Sequence, residues 1–325
     1  MQDYAIVASE PGGPDVLERR IVTPASPDAG EVLVRHLAIG LNFIDVYHRS
    51  GLYPWAEPRD LIPGSEAAGV VEARGPGVEG LAEGDRVAYA HPLGAYASAR
   101  VIAADRLLPL PDGISTEAAA GVLLKGLTAH YLVHDSYAVR ADDTVLVHAA
   151  AGGVGLLLGQ WLKAKGARAI GTAGGAEKVS LALENGYDAV VDYRAGDFVP
   201  RVMELTDGVG VHAVYDSVGA DTWRGSLSCL QPHGSFVNFG QSSGPITGFT
   251  LGDLAKGSLH ATRPALFHFI AGPAELQRRS AALFAALSDG TLTSEVHNRF
   301  PLAEAAAAHD ALEGRRTTGN TILVP

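Results

Sequence analysis

Hydrophobic and polar residues follow two different patterns along this chain, and the change falls near Ser115. Before it, short apolar runs at 32–39, 67–72 and 86–90 alternate with turns rich in Gly, Pro and Asp. Short strands separated by frequent turn signals predict a compact, barrel-like β unit rather than a doubly wound sheet.

From Thr144 onward, apolar β-branched runs alternate with helical stretches, as they do in βαβ units. We predict strands at 144–148, 168–172, 188–192, 211–215 and 234–239, with helices at about 153–165, 176–185, 196–205 and 221–230. This alternation indicates a parallel sheet with helices on both faces.

Helical patterns also flank this region. The residues Ser115-Thr116-Glu117 can cap a helix, because a hydroxyl and an early acid satisfy the first backbone N–H groups. After about Thr262 we predict an Ala/Leu-rich helix at 273–289, a helical stretch at 302–314 and a final strand at 321–324. We expect that last strand to return to the β unit.

The segment from Thr144 to Gly155 reads T-V-L-V-H-A-A-A-G-G-V-G and joins a predicted strand to a predicted helix. Such a turn can hold a dinucleotide pyrophosphate, because the backbone approaches the phosphates and the helix N-terminus offers free N–H groups. The spacing is Ala149-x-x-Gly152-x-x-Gly155 rather than a strict G-x-G-x-x-G. Small residues also serve helix–strand packing, so the turn alone leaves both interpretations open. The candidate contacts are Gly152, Gly153, Val154 and Gly155.

The end of the next strand favours NADPH over NADH. An NAD site carries Asp or Glu about 20 residues after the glycines, whereas this strand ends at Thr172 with no acid. Gly174 leaves room for a 2′-phosphate, and Lys178 lies in the first turn of the following helix. Tyr193 and Arg194 offer a hydroxyl and a second cation. Either cation taken alone is better explained as a solvated surface charge, but the two together with the missing acid favour the phosphate.

Two later turns follow predicted strand ends and contain glycine, at 216–219 and 239–244. Ligands of open α/β sheets bind at the carboxyl ends of the strands. These turns therefore offer further cofactor contacts, with ordinary turn chemistry as the alternative. The candidates are Ser217, Phe239, Gly240 and Ser242.

Composition narrows the class of protein. The 325 residues are 47% hydrophobic and 19% charged, with a formal net charge of −11, which argues for a large core and against a nucleic-acid-binding face. A single cysteine, Cys229, excludes an intramolecular disulfide and a Cys-rich zinc site. The N-terminus lacks a signal-peptide pattern, and no apolar run has the length of a membrane span. We expect a cytoplasmic protein.

Several motifs resemble those of the medium-chain dehydrogenase/reductases. They are N-F-I-D-V-Y at 42–47, S-G-L-Y-P at 50–54, P-G-S-E-A-A-G-V-V at 63–71 and E-G-D-R-V at 83–87. The segments L-K-G-L-T-A at 124–129 and Y-D-S-V-G at 215–219 narrow the resemblance to the zinc-free NADPH:quinone oxidoreductases of the zeta-crystallin-like group. The resemblance extends from near Tyr4 to Pro325.

This resemblance implies a GroES-like catalytic domain at 1–124, a Rossmann NADP-binding domain at 125–264, and a return to the catalytic domain at 265–325. It also implies a homodimer whose Rossmann sheets join edge to edge, and an active site in the cleft between the domains. Zinc-dependent relatives carry a Cys near Asn42 and a His before Glu66, where this chain has Ser65. We therefore expect no metal.

The resemblance also implies roles for individual residues. Asn42, Asp45, Tyr47 and Tyr53 would line the cleft near the nicotinamide and the acceptor, with Asn42 also binding the cofactor. Tyr53 would stack on a flat ring or bond a quinone oxygen; the alternative is simple packing. Asp45 is assigned to orientation, and turn capping is the alternative for Asn42. Further implied contacts are Lys125 (or a bridge between the domains), Thr128, Arg263 (or an interface residue) and Arg315.

Three functions remain open at this stage. The first is metal-free hydride transfer from NADPH to a quinone, an electron-poor acceptor that needs no Lewis acid. The second is NADPH-dependent reduction of an activated double bond, as in enone and alkenal reductases. The third is an NADPH-binding protein with little turnover.

Overall fold

The computed structural model describes residues 2–56 and 60–325, and the chain divides into two compact units. The first unit comprises Met1–Lys125, Ile270–Ser288 and Ser294–Pro325. The second comprises Gly126–Phe269 and Asp289–Thr293. Both ends of the chain therefore fold into the same unit, as the final predicted strand required.

The first part of the chain is rich in strands. Its elements are β1 (Tyr4–Ala8), β2 (Leu17–Ile21), β3 (Glu31–Gly40), α1 (Phe43–Arg49), β4 (Glu66–Arg74), β5 (Arg86–Ala90), β6 (Ala99–Ala103), β7 (Leu108–Pro109) and α2 (Thr116–Tyr131). The predicted strands 32–39, 67–72 and 86–90 correspond to β3, β4 and β5. Sequence analysis did not predict α1, a short helix whose Asp45 side chain accepts a hydrogen bond from the Asn42 backbone N–H.

The second unit is a doubly wound parallel sheet. Its elements are β8 (Thr144–Val147), α3 (Gly153–Ala164), β9 (Arg168–Ala173), α4 (Ala176–Glu184), β10 (Ala189–Asp192), α5 (Phe198–Leu205), β11 (Val211–Asp216), α6 (Trp223–Ser228), β12 (Leu230–Asn238), β13 (His260–Thr262) and α7 (Leu266–Phe269). The sheet order is β10-β9-β8-β11-β12-β13. This is the Rossmann order 3-2-1-4-5-6, so the predicted parallel sheet is confirmed.

The chain closes with α8 (Pro273–Ser288), β14 (Val296–Pro301), α9 (Ala305–Glu313) and β15 (Asn320–Val324). The main sheet of the first unit has the order β14-β15-β3-β4-β5-β7, with β6 also paired to β3. β15 pairs antiparallel with β3 at Ile322↔Gly40 and Leu323↔Ile39. The last strand therefore lies in the same sheet as strands from the first part of the chain.

Each unit has its own apolar core. In the first, Ile39, Leu41 and Tyr89 pack with Leu323 from the C-terminal strand. In the second, Leu146, Ile170, Val214 and Phe236 come from adjacent parallel strands, which are buried because helices cover the sheet. Among residues 2–56 and 60–325, no helix combines the length and apolarity needed to cross a bilayer.

Candidate functional site

The glycine turn of the second unit joins β8 to α3, with Gly152 as the residue before the helix. A Cβ on Gly155 would overlap the carbonyl oxygen of Ala149 and lie 2.6 Å from that of Ala150. Ala149 has a φ of 53°, in the left-handed region that non-glycine residues rarely adopt. Only glycine at 155 lets the helix start this close to the turn, which is the geometry that admits a pyrophosphate.

A buried histidine directly after β8 contacts the end of β9 and helix α6. His148 Nδ1 lies 2.9 Å from Thr172 Oγ1, and its Nε2 lies 2.9 Å from Ser226 Oγ. Burial lowers the pKa of His148, so the ring is held neutral. Thr172 is 2% exposed and its hydroxyl is directed to this ring. Its predicted contact with the cofactor stays a prediction, and the geometry favours an effect through His148.

The turn after β9 is shaped by a tyrosine and an arginine. A Cβ on Gly174 would lie 2.5 Å from the Tyr193 hydroxyl, and one on Gly175 would lie 3.1 Å from Arg194 Nη1. Lys178 is the third residue of α4. Lys178, Arg194 and Tyr193 therefore lie in segments next to the end of β9, and β9 itself ends without an acidic residue.

An acid that sequence analysis passed over organises the same turn. Asp192, the last residue of β10, accepts hydrogen bonds at 2.9 Å from the backbone N–H groups of Gly175 and Arg194. The bond from Gly175, followed by that from Arg194, lowers the pKa of Asp192. Asp192 thus joins the two turns that carry the candidate 2′-phosphate ligands.

The turns after β11 and β12 lie together. The buried Asp216 carboxylate accepts from the backbone N–H groups of Val218 at 2.8 Å and Gly219 at 3.0 Å. The Ser242 N–H donates to the Ser217 carbonyl at 3.1 Å. A Cβ on Gly240 would lie 2.7 Å from that same carbonyl oxygen. The structure therefore brings these predicted contacts together at the carboxyl edge of the sheet.

A buried carboxylate in the first unit accepts hydrogen bonds from three donors. Glu66, fully buried at the start of β4, accepts from Asn42 Nδ2 at 2.8 Å, Lys125 Nζ at 2.7 Å and the Leu124 N–H at 2.6 Å. This hydrogen bond to Glu66 fixes the orientation of the Asn42 side-chain amide. From the sequence, Glu66 was assigned no role of its own. Its partners Asn42 and Lys125 are 24 and 59 residues away in sequence, so no local pattern predicted these pairings.

Asp45 is the second buried carboxyl group of this cluster. It accepts from the Asn42 backbone N–H at 2.9 Å and the Tyr96 hydroxyl at 3.2 Å, and its Oδ1 lies 2.9 Å from the Ser65 hydroxyl oxygen. Burial, with a contribution from the nearby Glu66 charge, raises the pKa of Asp45 to about 7. Its contacts fit the predicted orienting role.

Tyr47 and Tyr53 form the centre of an aromatic group on α1 and the following loop. Their ring centroids lie 5.3 Å apart, and the Tyr53 N–H donates to the Tyr47 carbonyl at 3.0 Å. Phe43 and His48 extend the group, with centroids 6.2 Å from Tyr47 and 5.4 Å from Tyr53 respectively. The Tyr53 ring is half-buried within this group.

Three predicted contacts lie outside these clusters. Thr128 is buried on α2, and Arg263 follows β13 with Nη1 3.3 Å from the Pro264 carbonyl. Arg315 lies after α9 with a φ of 57°. Their roles toward a cofactor or an acceptor stay predictions.

Ser65 and Glu66 are poorly suited to bind a zinc ion. Ser65 and Glu66 are engaged with Asp45, Asn42 and Lys125, and neither offers sulfur or imidazole. Across the described ranges, 2–56 and 60–325, no group of three or more His, Cys, Asp or Glu residues is arranged to hold a metal.

Comparison with known proteins places this geometry in a family. Residues 28–143 match the alcohol dehydrogenase GroES-like domain, and residues 153–283 match the zinc-binding dehydrogenase domain; together these define a medium-chain dehydrogenase/reductase. A quinone oxidoreductase of Pseudomonas aeruginosa is 52% identical over 97% of both chains. The chain belongs to the quinone oxidoreductase family, which confirms the resemblance and the GroES-like plus Rossmann fold.

Two further relatives bear on function. The crystal structure of Escherichia coli quinone oxidoreductase complexed with NADPH superposes with a TM-score of 0.95 at 47% identity, covering 99% of this chain and 100% of that chain. A 2-haloacrylate reductase of a Burkholderia species is 43% identical over 99% of this chain and 98% of its own.

Proposed function

We propose that this protein is an NADPH:quinone oxidoreductase. The observation that carries the proposal is the turn after β9, where the acid typical of an NAD site is absent and Lys178, Tyr193 and Arg194 belong to the adjoining segments. Such a turn suits a 2′-phosphate, and the E. coli relative of the same fold is an NADPH complex.

The second unit supplies most of the cofactor contacts. Gly152, Gly153, Val154 and Gly155 receive the pyrophosphate, and Lys178 and Tyr193 receive the 2′-phosphate. Charge-assisted bonds to phosphate are the strongest available here, worth about 1.5–3 kcal/mol each. The other proposed contacts are Asn42, Lys125, Thr128, Thr172, Gly174, Ser217, Phe239, Gly240, Ser242, Arg263 and Arg315.

Bound NADPH supplies the hydride. The protein has to orient the acceptor and exclude competing geometries. Tyr47 and Tyr53 provide an aromatic surface for a flat quinone ring, Asn42 orients the nicotinamide end of the cofactor, and Asp45 holds Asn42 in place. Thr128 is the remaining proposed acceptor contact. A quinone is electron-poor enough to accept hydride without a metal, so we propose a zinc-independent enzyme.

A spectrophotometric screen tests this proposal. NADPH and NADH are each offered with a panel of small quinones, alkenals and 2-haloacrylates, and oxidation is followed at the nicotinamide absorbance. We expect NADPH oxidation that depends on quinone, with NADH a poor donor. NADPH oxidation with alkenals or haloacrylates but not with quinones would contradict quinone reduction and support double-bond reduction instead.

Reduction of an activated double bond is the second candidate, because the Burkholderia relative is named a 2-haloacrylate reductase. Both reactions need the same hydride donor and differ in the acceptor. Tight NADPH binding without oxidation by any acceptor in the panel would instead favour a binding protein with little turnover.

We further propose a cytoplasmic homodimer. β13 is the edge of the parallel sheet and its residues His260, Ala261 and Thr262 are exposed, so a second copy can extend the sheet there. Analytical ultracentrifugation of the protein and of Ala261→Pro, a substitution within this edge strand, tests the assembly.

A further inference from the structure

Two buried carboxyl groups hold Asn42 through different atoms. Glu66 accepts from the Asn42 side-chain amide at 2.8 Å, and Asp45 accepts from the Asn42 backbone N–H at 2.9 Å. We propose that Glu66 is ionised while Asp45 is a protonated carboxylic acid, and that this unequal pair is the positioning device for Asn42. The effect on NADPH binding rests on the proposed function, but the two protonation states do not.

Glu66 is paired with the cation of the cluster. Lys125 Nζ lies 2.7 Å from its carboxylate, which two further N–H donors also reach. The hydrogen-bond partners of Asp45 are neutral: the Asn42 N–H, the Ser65 hydroxyl and the Tyr96 hydroxyl. Because Lys125 and Glu66 balance each other, an ionised Asp45 would be an uncompensated buried charge, which is strongly disfavoured.

Arg49 determines the direction of the hydrogen bonds that lead through His309 and Tyr96 to Asp45. A guanidinium can only donate, so His309 Nδ1, 3.3 Å from Arg49 Nη1, is an acceptor. Burial lowers the pKa of His309 to about 3, so its single ring hydrogen is on Nε2 and donates to the Tyr96 oxygen at 2.9 Å. The Tyr96 hydroxyl hydrogen is then directed to Asp45 Oδ2 at 3.2 Å.

The other side of Asp45 is short of one hydrogen. Ser65 Oγ lies 2.9 Å from Asp45 Oδ1 and 2.9 Å from the Pro92 carbonyl oxygen. A hydroxyl has one hydrogen, so it can satisfy only one of these two acceptors. A proton on Asp45 Oδ1 resolves the shortage, because Asp45 then donates to Ser65 and Ser65 donates to Pro92.

Ionisation of Asp45 falls near neutrality, because burial raises its pKa to about 7. An ionised Asp45 would draw the Ser65 hydrogen away from Pro92 and repel Glu66, disturbing both contacts to Asn42. The titratable and charged groups that surround Asp45, directly or through one partner, are Glu66, Tyr96, Arg49, His309, Lys125 and Glu313.

Infrared spectroscopy of the full-length protein tests the protonation states without any acceptor. At about pH 6 we expect a carboxylic-acid C=O band that Asp45→Asn removes, and the band should disappear as the pH rises through about 7. No such band in the wild type, or a band that survives in Asp45→Asn, would overturn the proposal. Ser65→Ala serves if Asp45→Asn fails to fold: the band should shift because the acceptor of the Asp45 proton is gone.

A binding measurement tests the positioning role. The side-chain amide introduced by Asp45→Asn offers both an acceptor and a donor, so this variant mimics the protonated acid at all pH values. Between about pH 6 and pH 8.5 the wild-type Kd for NADPH should rise about threefold to tenfold more than that of Asp45→Asn. Titration of the cofactor phosphate affects both proteins equally, so it drops out of this comparison. Parallel pH profiles would contradict the positioning role. Absence of quinone reduction would contradict only the proposed function.

Discussion

The hydroxyl oxygen of Tyr193 lies 2.5 Å from the position that a Cβ of Gly174 would occupy. The tyrosine ring therefore fills the space beside a glycine at the end of β9. This contact makes the turn a sensitive place to test the proposed 2′-phosphate site.

Gly174→Ala should displace the Tyr193 ring and weaken NADPH binding. We expect the Kd for NADPH to rise about tenfold, equivalent to about 1.4 kcal/mol, with a smaller change for NADH. Fluorescence titration measures both constants. Gly196→Ala is the control, because a Cβ there has open space around it. Equal losses for the two cofactors would indicate a general distortion of the turn.

Lys178→Ala should discriminate between the cofactors. Removing a charged donor to the 2′-phosphate is expected to raise the KM for NADPH by about 10- to 100-fold, from a loss of about 1.5–3 kcal/mol, while the KM for NADH changes little. Lys256→Ala removes an equally charged but exposed side chain of the same unit and should change neither. The same increase for NADPH and NADH would exclude Lys178 as a phosphate ligand.

Thr172→Val tests whether this residue acts on the cofactor directly or through His148. The substitution leaves His148 Nδ1 without its partner, and we expect it to cost about 1–3 kcal/mol of unfolding free energy, measured by urea denaturation. Thr172→Ser keeps the hydroxyl and should recover most of that stability. A normal stability with weakened NADPH binding would instead support a direct contact.

His309→Gln tests the acid sensitivity of the first unit. Burial lowers the pKa of His309 to about 3, whereas histidine in the unfolded chain has a pKa of about 6.5. Between these two pH values the unfolded state binds a proton on His309 and the folded state does not. His309 therefore does not reduce the free energy of unfolding above about pH 6.5. Below that pH it lowers the free energy of unfolding by about 1.4 kcal/mol per pH unit, down to about pH 3. Glutamine keeps a donor for Tyr96 and an acceptor for Arg49.

Thermal unfolding of both proteins between about pH 4.5 and pH 7.5 gives the comparison. The wild type should lose more stability on acidification than His309→Gln. Matching losses would show that His309 is protonated in the folded state, and that would also remove the hydrogen order argued for Tyr96 and Asp45.

Local patterns in the sequence determined a large part of this protein. Hydrophobic patterning located β8 to β12 and the helices between them, because the parallel strands are buried on both faces and the helices on one. The glycine turn and the missing acid after Thr172 indicated NADPH through residues that are close in sequence. The short α1 and the edge strand β13 were missed, since three to seven residues carry too little periodicity to register.

Only the tertiary structure decided how the buried polar groups are paired. Glu66 meets Asn42 and Lys125, and Tyr96 meets His309 across 213 residues of sequence. Such pairings follow from strand order and helix packing rather than from spacing, and no motif reports them. For this reason the sequence could name Asp45 as an orienting residue, whereas the neighbours that place a proton on it emerged only from the fold.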